Sequence, residues 1–419
     1  MPSLAPLACR GSPWQAPLRR PSRAPTFCCA CGGYGGHGSE RRPDLRPRVA
    51  ILTNVPSPYQ VEFFNAVARE GSLDLKVWYC ADRDRRRSWT TPPIEHAHRI
   101  GRAWRVAGRH DHYYLDPAPA AEMMGWRPHL AILSVYTMPA VQLAMWRATR
   151  ARIPWAYWGE RVAAGARSGP VRLLRRAALL PIARYAVGTM AVGRRAVAGF
   201  RELFGSAHPI LNVPYFSDLG RFTGAVKQGP GEAGTTFLYV GAFTRRKGVD
   251  VLARAFNRVV AATPSVRLIA VGDGDAAGTF TAHLSPDALR RVEVQPFVGW
   301  ADLPSVYPLG DVLVFPSRYD GWGMVVPEAM ASGLPVIGST AAGATCDLVR
   351  EELTGWQVPP DDEVALAGSM GAALRLPASG RWRMGAACRA RARRYDTEVG
   401  VRVFRSAVSR LTRESESVR

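Results

Sequence analysis

Acids are scarce in this sequence. Asp and Glu number 34 against 55 Lys and Arg, a formal net charge of +21 at pH 7, and nearly all of the basic excess is arginine. Such a balance favours polyanionic partners: nucleic acid, anionic lipid headgroups or phosphorylated substrates. Long apolar runs are missing too. No stretch reaches the roughly eighteen apolar residues of a membrane span, so no transmembrane helix is expected. The seven cysteines, at 9, 28, 29, 31, 80, 346 and 388, are odd in number and irregular in spacing. That argues against a disulfide framework and for a reducing compartment. Cys28 and Cys31 make a C-x-x-C spacing, but only His37 stands nearby and no second pair completes a zinc site. The eight histidines are dispersed; His96 and His98 in "EHAH" could share a metal, although a polar loop explains them as well. No metal is expected.

What is present is a globular composition. At 419 residues and 47% hydrophobic, the chain can build two domains with large cores. Residues 1–47 mix Pro, Gly, Arg and Cys without apolar periodicity and read as a disordered basic leader; no apolar stretch resembles a signal-peptide core. Structure is expected to begin at "RVAILTNV", a buried-strand pattern, followed by the helical "QVEFFNAVARE" and the strand "LDLKVWYC". Further strand patterns at "HLAILSV", "IPWAYW", "YAVGTMAV" and "PILNVP" alternate with helical ones, which implies a parallel sheet wound on both faces through residue 222. A Gly-rich break at 223–235 reads as a linker. The alternation restarts over 236–395 with "TFLYVG", a helix from Lys247 to Ala262, "VRLIAVGDG", "VEVQPFVG" and "DVLVFPS". A helical stripe in 396–419 is expected to pack back across the domains. The predicted fold class is α/β, two doubly wound Rossmann-like domains facing each other across a cleft.

The chemistry concentrates in "DGWGMVVPEAMASGLPVI". Gly321 and Gly323 let a backbone approach a ligand, Pro327 is placed at the first helical position, and Glu328 to Ala331 favour helix. Helix-start amides suit a phosphate, and Asp320 and Glu328 bracket them, placed to bind hydroxyl groups on either side. An ordinary capped helix after a loop is the alternative. In "VGAFTRRKG", Gly241 ends a strand and Lys247 stands where its charge reaches a diphosphate, with Arg245 and Arg246 beside it. "PFVGW" places Val298 and free backbone groups at a flat apolar edge suited to a nucleotide base.

In order and spacing, "GAFTRRKG", "VGDGD", "VGW…DLPSVYPLGDVLVFPS" and "DGWGMVVPEAMASGLPVI" resemble glycosyltransferase family 4, retaining enzymes with the GT-B fold. The resemblance covers most of residues 236–360. It implies a nucleotide-sugar donor; with Lys247 and the arginines to stabilise the diphosphate and no metal-ligand cluster in the chain, no metal or other cofactor is expected. It implies that Glu328 binds the ribose hydroxyls, that Asp320 binds the donor sugar, and that the amides of Gly323, Met324 and Val325 meet the phosphates. It differs where the family often carries arginine and this chain has Ala242, and in Asp320 replacing a glutamate. "NVPSPYQVEFFNA" resembles more loosely the opening loop of a branch acting in polysaccharide and lipid-linked glycan assembly, which makes Ser57 and Tyr59 acceptor-side candidates. The family's active-site histidine has no clear counterpart. "WGE" lies in that region, and Glu160 is either a catalytic, sugar-contacting acid or a solvated neighbour of Arg161.

The implied function is transfer of a sugar from a nucleotide sugar to a glycan or lipid-linked acceptor, catalysed by Lys247, Asp320 and Glu160. A GT-B-type epimerase or phosphorylase and a catalytically silent sugar-nucleotide binder are the alternatives. Nucleic acid is not an expected partner, because no aromatic platform, zinc finger or recognition helix accompanies the charge. Between Arg161 and Glu202 arginines interleave with "LL", "AALLPIA" and "VAGF", suiting an anionic membrane surface, while a solvated arginine-rich face is the alternative. "ADRDRRRSW" reads as an acceptor-facing loop. The expected location is cytoplasmic, peripheral at the inner face of the membrane.

Overall fold

The computed structural model describes residues 46–84, 89–102, 104–107, 112–162, 169–224, 234–263 and 265–417. The expected leader up to residue 45, with Cys28, Cys31 and His37, lies outside the described residues. So do 225–233 of the expected linker, 85–88 of "ADRDRRRSW" and 163–168 of the basic segment.

The first half of the chain runs β1 (Arg48–Thr53), α1 (Pro58–Glu70), β2 (Asp74–Tyr79) and β3 (Ala97–Ile100). A small antiparallel hairpin, β4 (Trp104–Ala107) and β5 (His112–Leu115), follows. Next come α2 (Ala118–Gly125), β6 (Leu130–Ser134), α3 (Pro139–Arg150), β7 (Trp155–Gly159) and α4 (Gly169–Tyr185). β8 (Gly188–Ala191), α5 (Arg194–Phe204) and β9 (Ile210–Asn212) complete it. The sheet order is β3-β2-β1-β6-β7-β8-β9, every neighbour parallel.

The second sheet begins with β10 (Thr236–Val240), α6 (Val249–Ala262), β11 (Arg267–Val271), α7 (Ala277–Ala282), α8 (Pro286–Leu289) and β12 (Val292–Gln295). It continues through β13 (Val312–Phe315), α9 (Val325–Ala331), β14 (Val336–Ser339), α10 (Gly343–Leu348) and β15 (Gly355–Val358). Its order, β12-β11-β10-β13-β14-β15, is also wholly parallel. Helices cover both faces of such sheets, which is why their strands read as continuous rather than alternating apolar runs. Ala50, Ile51 and Leu52 in β1, and Val312 to Phe315 in β13, are all buried. The expectation of two doubly wound domains holds.

After α11 (Glu363–Arg375) and α12 (Ala378–Ala392), the last helix α13 (Thr397–Ser417) packs on the first sheet's side. Phe404 lies 5.7 Å from Phe63 and 5.8 Å from Trp158, and Arg405 pairs with Glu70 at 2.7 Å. Burying one such ring is worth about 2 kcal/mol.

Several boundaries differ from the sequence reading. The helix expected from Lys247 starts at Val249, because Gly248 is left-handed (φ 71°) after a single 3-10 turn over Arg245–Lys247. The strand "VEVQPFVG" stops at Gln295, before Pro296. His98 lies in β3, not in a loop, and His96 is buried, sharing hydrogen bonds with Asn65 (2.7 Å) and the Tyr79 hydroxyl (3.0 Å). Burial, reinforced by the charge of His98, pushes His96 down to about 4.

Each sheet has one place where strand order reverses, between β1 and β6 and between β10 and β13. Crevices for ligands open there, beyond the carboxyl ends of the strands.

Candidate active site

The loop leaving β10 and the loop leaving β13 flank the second sheet's reversal point, and they are locked together. A Cβ at Gly248 would fall onto the carbonyl of Pro316, so only glycine allows this approach. Lys247 donates from Nζ to Oδ2 of Asp320 at 2.6 Å and sits over the Phe315 ring. Arg246 donates to the Tyr319 carbonyl at 3.0 Å and lies 3.4 Å from Asp320. Burial pushes the Asp320 carboxyl up, but Lys247 and Arg246 outweigh it and hold the group below its ordinary value. The structure thus brings together Lys247, Arg246 and Asp320. Arg245 contributes its carbonyl rather than its side chain to this junction, and its side chain is exposed.

Arg318 is the residue that sequence reasoning missed. It donates to both carboxylate oxygens of Asp250 at 2.7 Å, to the Arg245 carbonyl at 2.6 Å and to Asp361. Its own amide donates to the Arg246 carbonyl at 2.9 Å. One guanidinium fork therefore ties the start of α6, the Arg245–Lys247 turn and the Asp320 loop. The bond from Arg318 holds Asp250 well below the usual carboxylate range. The signal available beforehand was an Arg following "FPS" and, 68 residues earlier, an Asp at the second position of α6, neither of which belongs to a motif that names its partner.

Gly323 adopts a left-handed conformation (φ 96°) against the Phe315 ring, after which the chain turns at Met324 into α9. Pro327 is the third residue of α9 rather than the first, since Val325 already begins the helix. It is tolerated there because amides of the first turn have no partner within the helix. Glu328 is buried and accepts from the Tyr307 hydroxyl at 2.5 Å. Burial pushes its carboxyl up to about 7, and the Tyr307 bond works against that rise. Gly241 (φ 156°) closes β10, and Val298 lies half-buried beyond β12. The adjoining Trp300 donates from its indole to Glu62 of α1 at 2.5 Å, with Arg221 stacked 3.8 Å over its ring. Glu62 also accepts from Arg221 (2.7 Å), Ser217 (2.5 Å) and the Asp218 amide (3.1 Å). This buried carboxylate fastens the loop after β12 to the first sheet's half.

On the first sheet's side, Ser57 is buried at the start of α1. Its hydroxyl donates to the Gln60 side chain at 2.8 Å, which uses it locally. Tyr59 is half-buried and its ring lies 4.9 Å from that of Tyr215. Glu160 leaves the end of β7 and reaches across to the second half, where a Cβ at Gly321 would collide with its carboxylate. Tyr319 spans the same gap, donating to the Arg161 carbonyl at 2.8 Å. Beside them Arg194 donates from its amide and its Nε to Asp347, each at 3.1 Å. Glu160 and Asp320, far apart in sequence, therefore face one crevice.

A family model for glycosyl transferases group 1 matches residues 234–375, the span that contains these loops. Over that span the chain is similar to glycosyl transferases group 1. It is 32% identical over 237 residues to a phosphatidyl-myo-inositol mannosyltransferase of Mycobacterium tuberculosis, covering 53% of this chain and 59% of that protein. It is 30% identical over 208 residues to a D-inositol 3-phosphate glycosyltransferase of Segniliparus rotundus, 46% of each. The chain spans about half the length of the curated relatives it matches. Among solved structures, Anabaena HepE in complex with UDP superposes with TM-score 0.68 at 17% identity, over 86% of this chain and 99% of that one. A sucrose-phosphate synthase of Thermosynechococcus elongatus gives 0.65 at 19% identity, over 87% and 99%. The fold is GT-B.

Proposed function

We propose that this chain is a family 4 glycosyltransferase that transfers a sugar from a nucleotide sugar to a glycan or lipid-linked acceptor, with retention at the anomeric carbon. The observation that carries this is the Lys247–Arg246–Asp320 cluster at the second sheet's reversal point, with Glu328 one turn into the helix that leaves the same loop. As the glycosidic bond breaks, negative charge builds on the leaving diphosphate and positive charge on the sugar. Lys247, with three protons to donate, is oriented by Asp320 while it faces the diphosphate. Arg246 adds a second cation, taking the place of the arginine absent at Ala242. Asp320 meets the sugar, Glu328 the ribose hydroxyls, and the amides of Gly323 to Val325 the phosphates. In this reading the protein's own cations neutralise the diphosphate, and no metal or other cofactor takes part. Neither an epimerase base pair nor a cofactor lysine is needed to account for the cluster.

HepE, with UDP bound, supports trying uridine donors first. The test is a panel of UDP-, GDP- and dTDP-sugars, read as donor consumption with and without acceptor glycans. Consumption of one donor with release of its nucleoside diphosphate is expected. Failure of every donor to turn over, with tight binding retained, would leave the silent binder. Turnover to a new sugar nucleotide would favour the epimerase.

The peripheral-membrane part of the proposal rests on α4. Only Leu179 and Ile182 of this helix are buried, while Leu173, Leu174 and Leu180 are 70%, 71% and 58% exposed. Arg172, Arg175, Arg176 and Arg184 share the helix and no acid lies within it. Exposed leucines amid arginines suit an anionic bilayer surface. Among the described residues no helix is long and apolar enough to cross a membrane. The same α4 surface supports a cytoplasmic location at the membrane's inner face, and the lipid acceptors named for relatives agree with it.

A further inference from the structure

Five chain exits from both sheets meet around Glu160, and four of them carry a half-buried tyrosine. Tyr59 follows β1, Tyr136 follows β6, Tyr215 follows β9, and Tyr319 follows β13. Glu160 itself follows β7. The rings are held in place. Tyr59 and Tyr215 lie 4.9 Å apart and tilted by 44°, and Tyr215 is backed by Trp158 at 5.9 Å. Tyr136 stands edge-on to the buried Tyr157 at 6.1 Å, and its carbonyl accepts from Gln142 at 2.6 Å. Tyr319 is fixed by its bond to the Arg161 carbonyl. The Glu160 carboxylate lies against Gly321, the residue next to Asp320, so the group adjoins the Lys247–Asp320 pair on the side of the first sheet.

Such a set has a definite recognition chemistry. Aromatic faces accept the C–H faces of a sugar ring, and their phenols add hydrogen bonds at the rim. A carboxylate accepts hydroxyl protons in pairs but repels a phosphoryl group. Burial, with the Glu160 charge beside them, pushes the Tyr319 hydroxyl up to about 12 and raises that of Tyr215, so both phenols stay uncharged beside the carboxylate.

We propose that Tyr59, Tyr136, Glu160, Tyr215 and Tyr319 form the acceptor subsite, and that it takes an uncharged sugar ring rather than a phosphorylated polyol. The proposal rests on the transferase reading and names its acceptor class. The inositol phosphate acceptor in one relative's name is therefore not the acceptor expected here.

The experiment is saturation-transfer NMR on the full chain loaded with UDP, using methyl α-D-glucopyranoside, methyl α-D-mannopyranoside and methyl α-D-galactopyranoside, with myo-inositol 1-phosphate as the charged probe. At least one methyl glycoside should bind, and the inositol phosphate should bind more weakly. Tyr215→Ala and Tyr319→Ala should each raise the glycoside Kd about tenfold, the scale of one lost stacking partner, with UDP affinity within about twofold of wild type. Glu160→Gln should weaken the glycoside and strengthen the inositol phosphate. If Tyr215→Ala does not fold, Tyr319→Ala, on a loop, carries the same comparison. Retained UDP binding with no methyl glycoside bound, with glycoside Kd unmoved in both tyrosine variants, or with the inositol phosphate preferred would overturn the subsite alone. Failure to bind any nucleoside diphosphate would instead overturn the donor reading beneath it.

Discussion

Replacing Glu328 by glutamine removes a buried charge while keeping an oxygen for the Tyr307 hydroxyl to donate to. The wild-type carboxyl is held at about 7 against an ordinary 4.5, with burial the main cause. Between those values the unfolded chain has lost a proton that the folded chain keeps. Wild-type stability therefore falls as pH rises from 4.5 to about 7 and stays lower above that window. At about 1.4 kcal/mol for each tenfold, the cost above neutrality is roughly 3 kcal/mol. Glutamine has no proton to lose, so Glu328→Gln should be more stable than wild type by up to roughly that amount at about pH 8, and nearly equal to it below 4.5. Urea midpoints measured across this range give the difference. The same variant should lose nucleotide affinity by about tenfold or more, because the ionised carboxylate is the better acceptor for ribose hydroxyls. A constant stability difference at every pH would refute the raised carboxyl. A more stable variant with unchanged nucleotide binding would refute its role in the site.

The other predictions concern the cations and the surface. Lys247→Ala should lower kcat at least about 100-fold with a smaller rise in donor KM, since the diphosphate charge is greatest in the transition state; near-wild-type turnover would place the diphosphate elsewhere. Arg246→Ala should be clearly impaired and Arg245→Ala nearly silent in donor kinetics, because only the former side chain reaches Asp320. Arg318→Ala should cost roughly 2 kcal/mol of stability at neutral pH by breaking the fork to Asp250. Asp250 is held below its ordinary 3.8, so that loss should be full above pH 3.8 and shrink as the solution is made more acid, as acid titration of the denaturation midpoint would show. Wild-type protein should co-sediment with anionic vesicles and release as salt rises, and replacing Leu173 and Leu174 by serine should abolish this; binding that ignores lipid charge would sink the α4 assignment.

The chain's order along its length was enough to reveal the alternating architecture, because buried parallel strands are short apolar runs bounded by turn residues whatever lies beside them. The Asp320–Glu328 spacing and the Lys247 turn were legible for the same local reason: glycine, proline and charge at fixed offsets constrain a loop wherever it is placed. Tertiary structure decided which charges meet. Lys247 and Asp320 are 73 residues apart in sequence, and only the order of strands around β10 and β13 makes them an ion pair. Ser57 looked available and its hydroxyl is taken by the Gln60 side chain, whereas Arg318, Asp250 and Glu62 belonged to no motif and became fastenings once folded. The start of α9 at Val325 instead of Pro327 shows the same limit, since proline permits a helix start without requiring one. Composition and spacing act through neighbours along the chain. Ion pairs, burial and the aromatic ring set around Glu160 act through neighbours in space, which no linear pattern specifies.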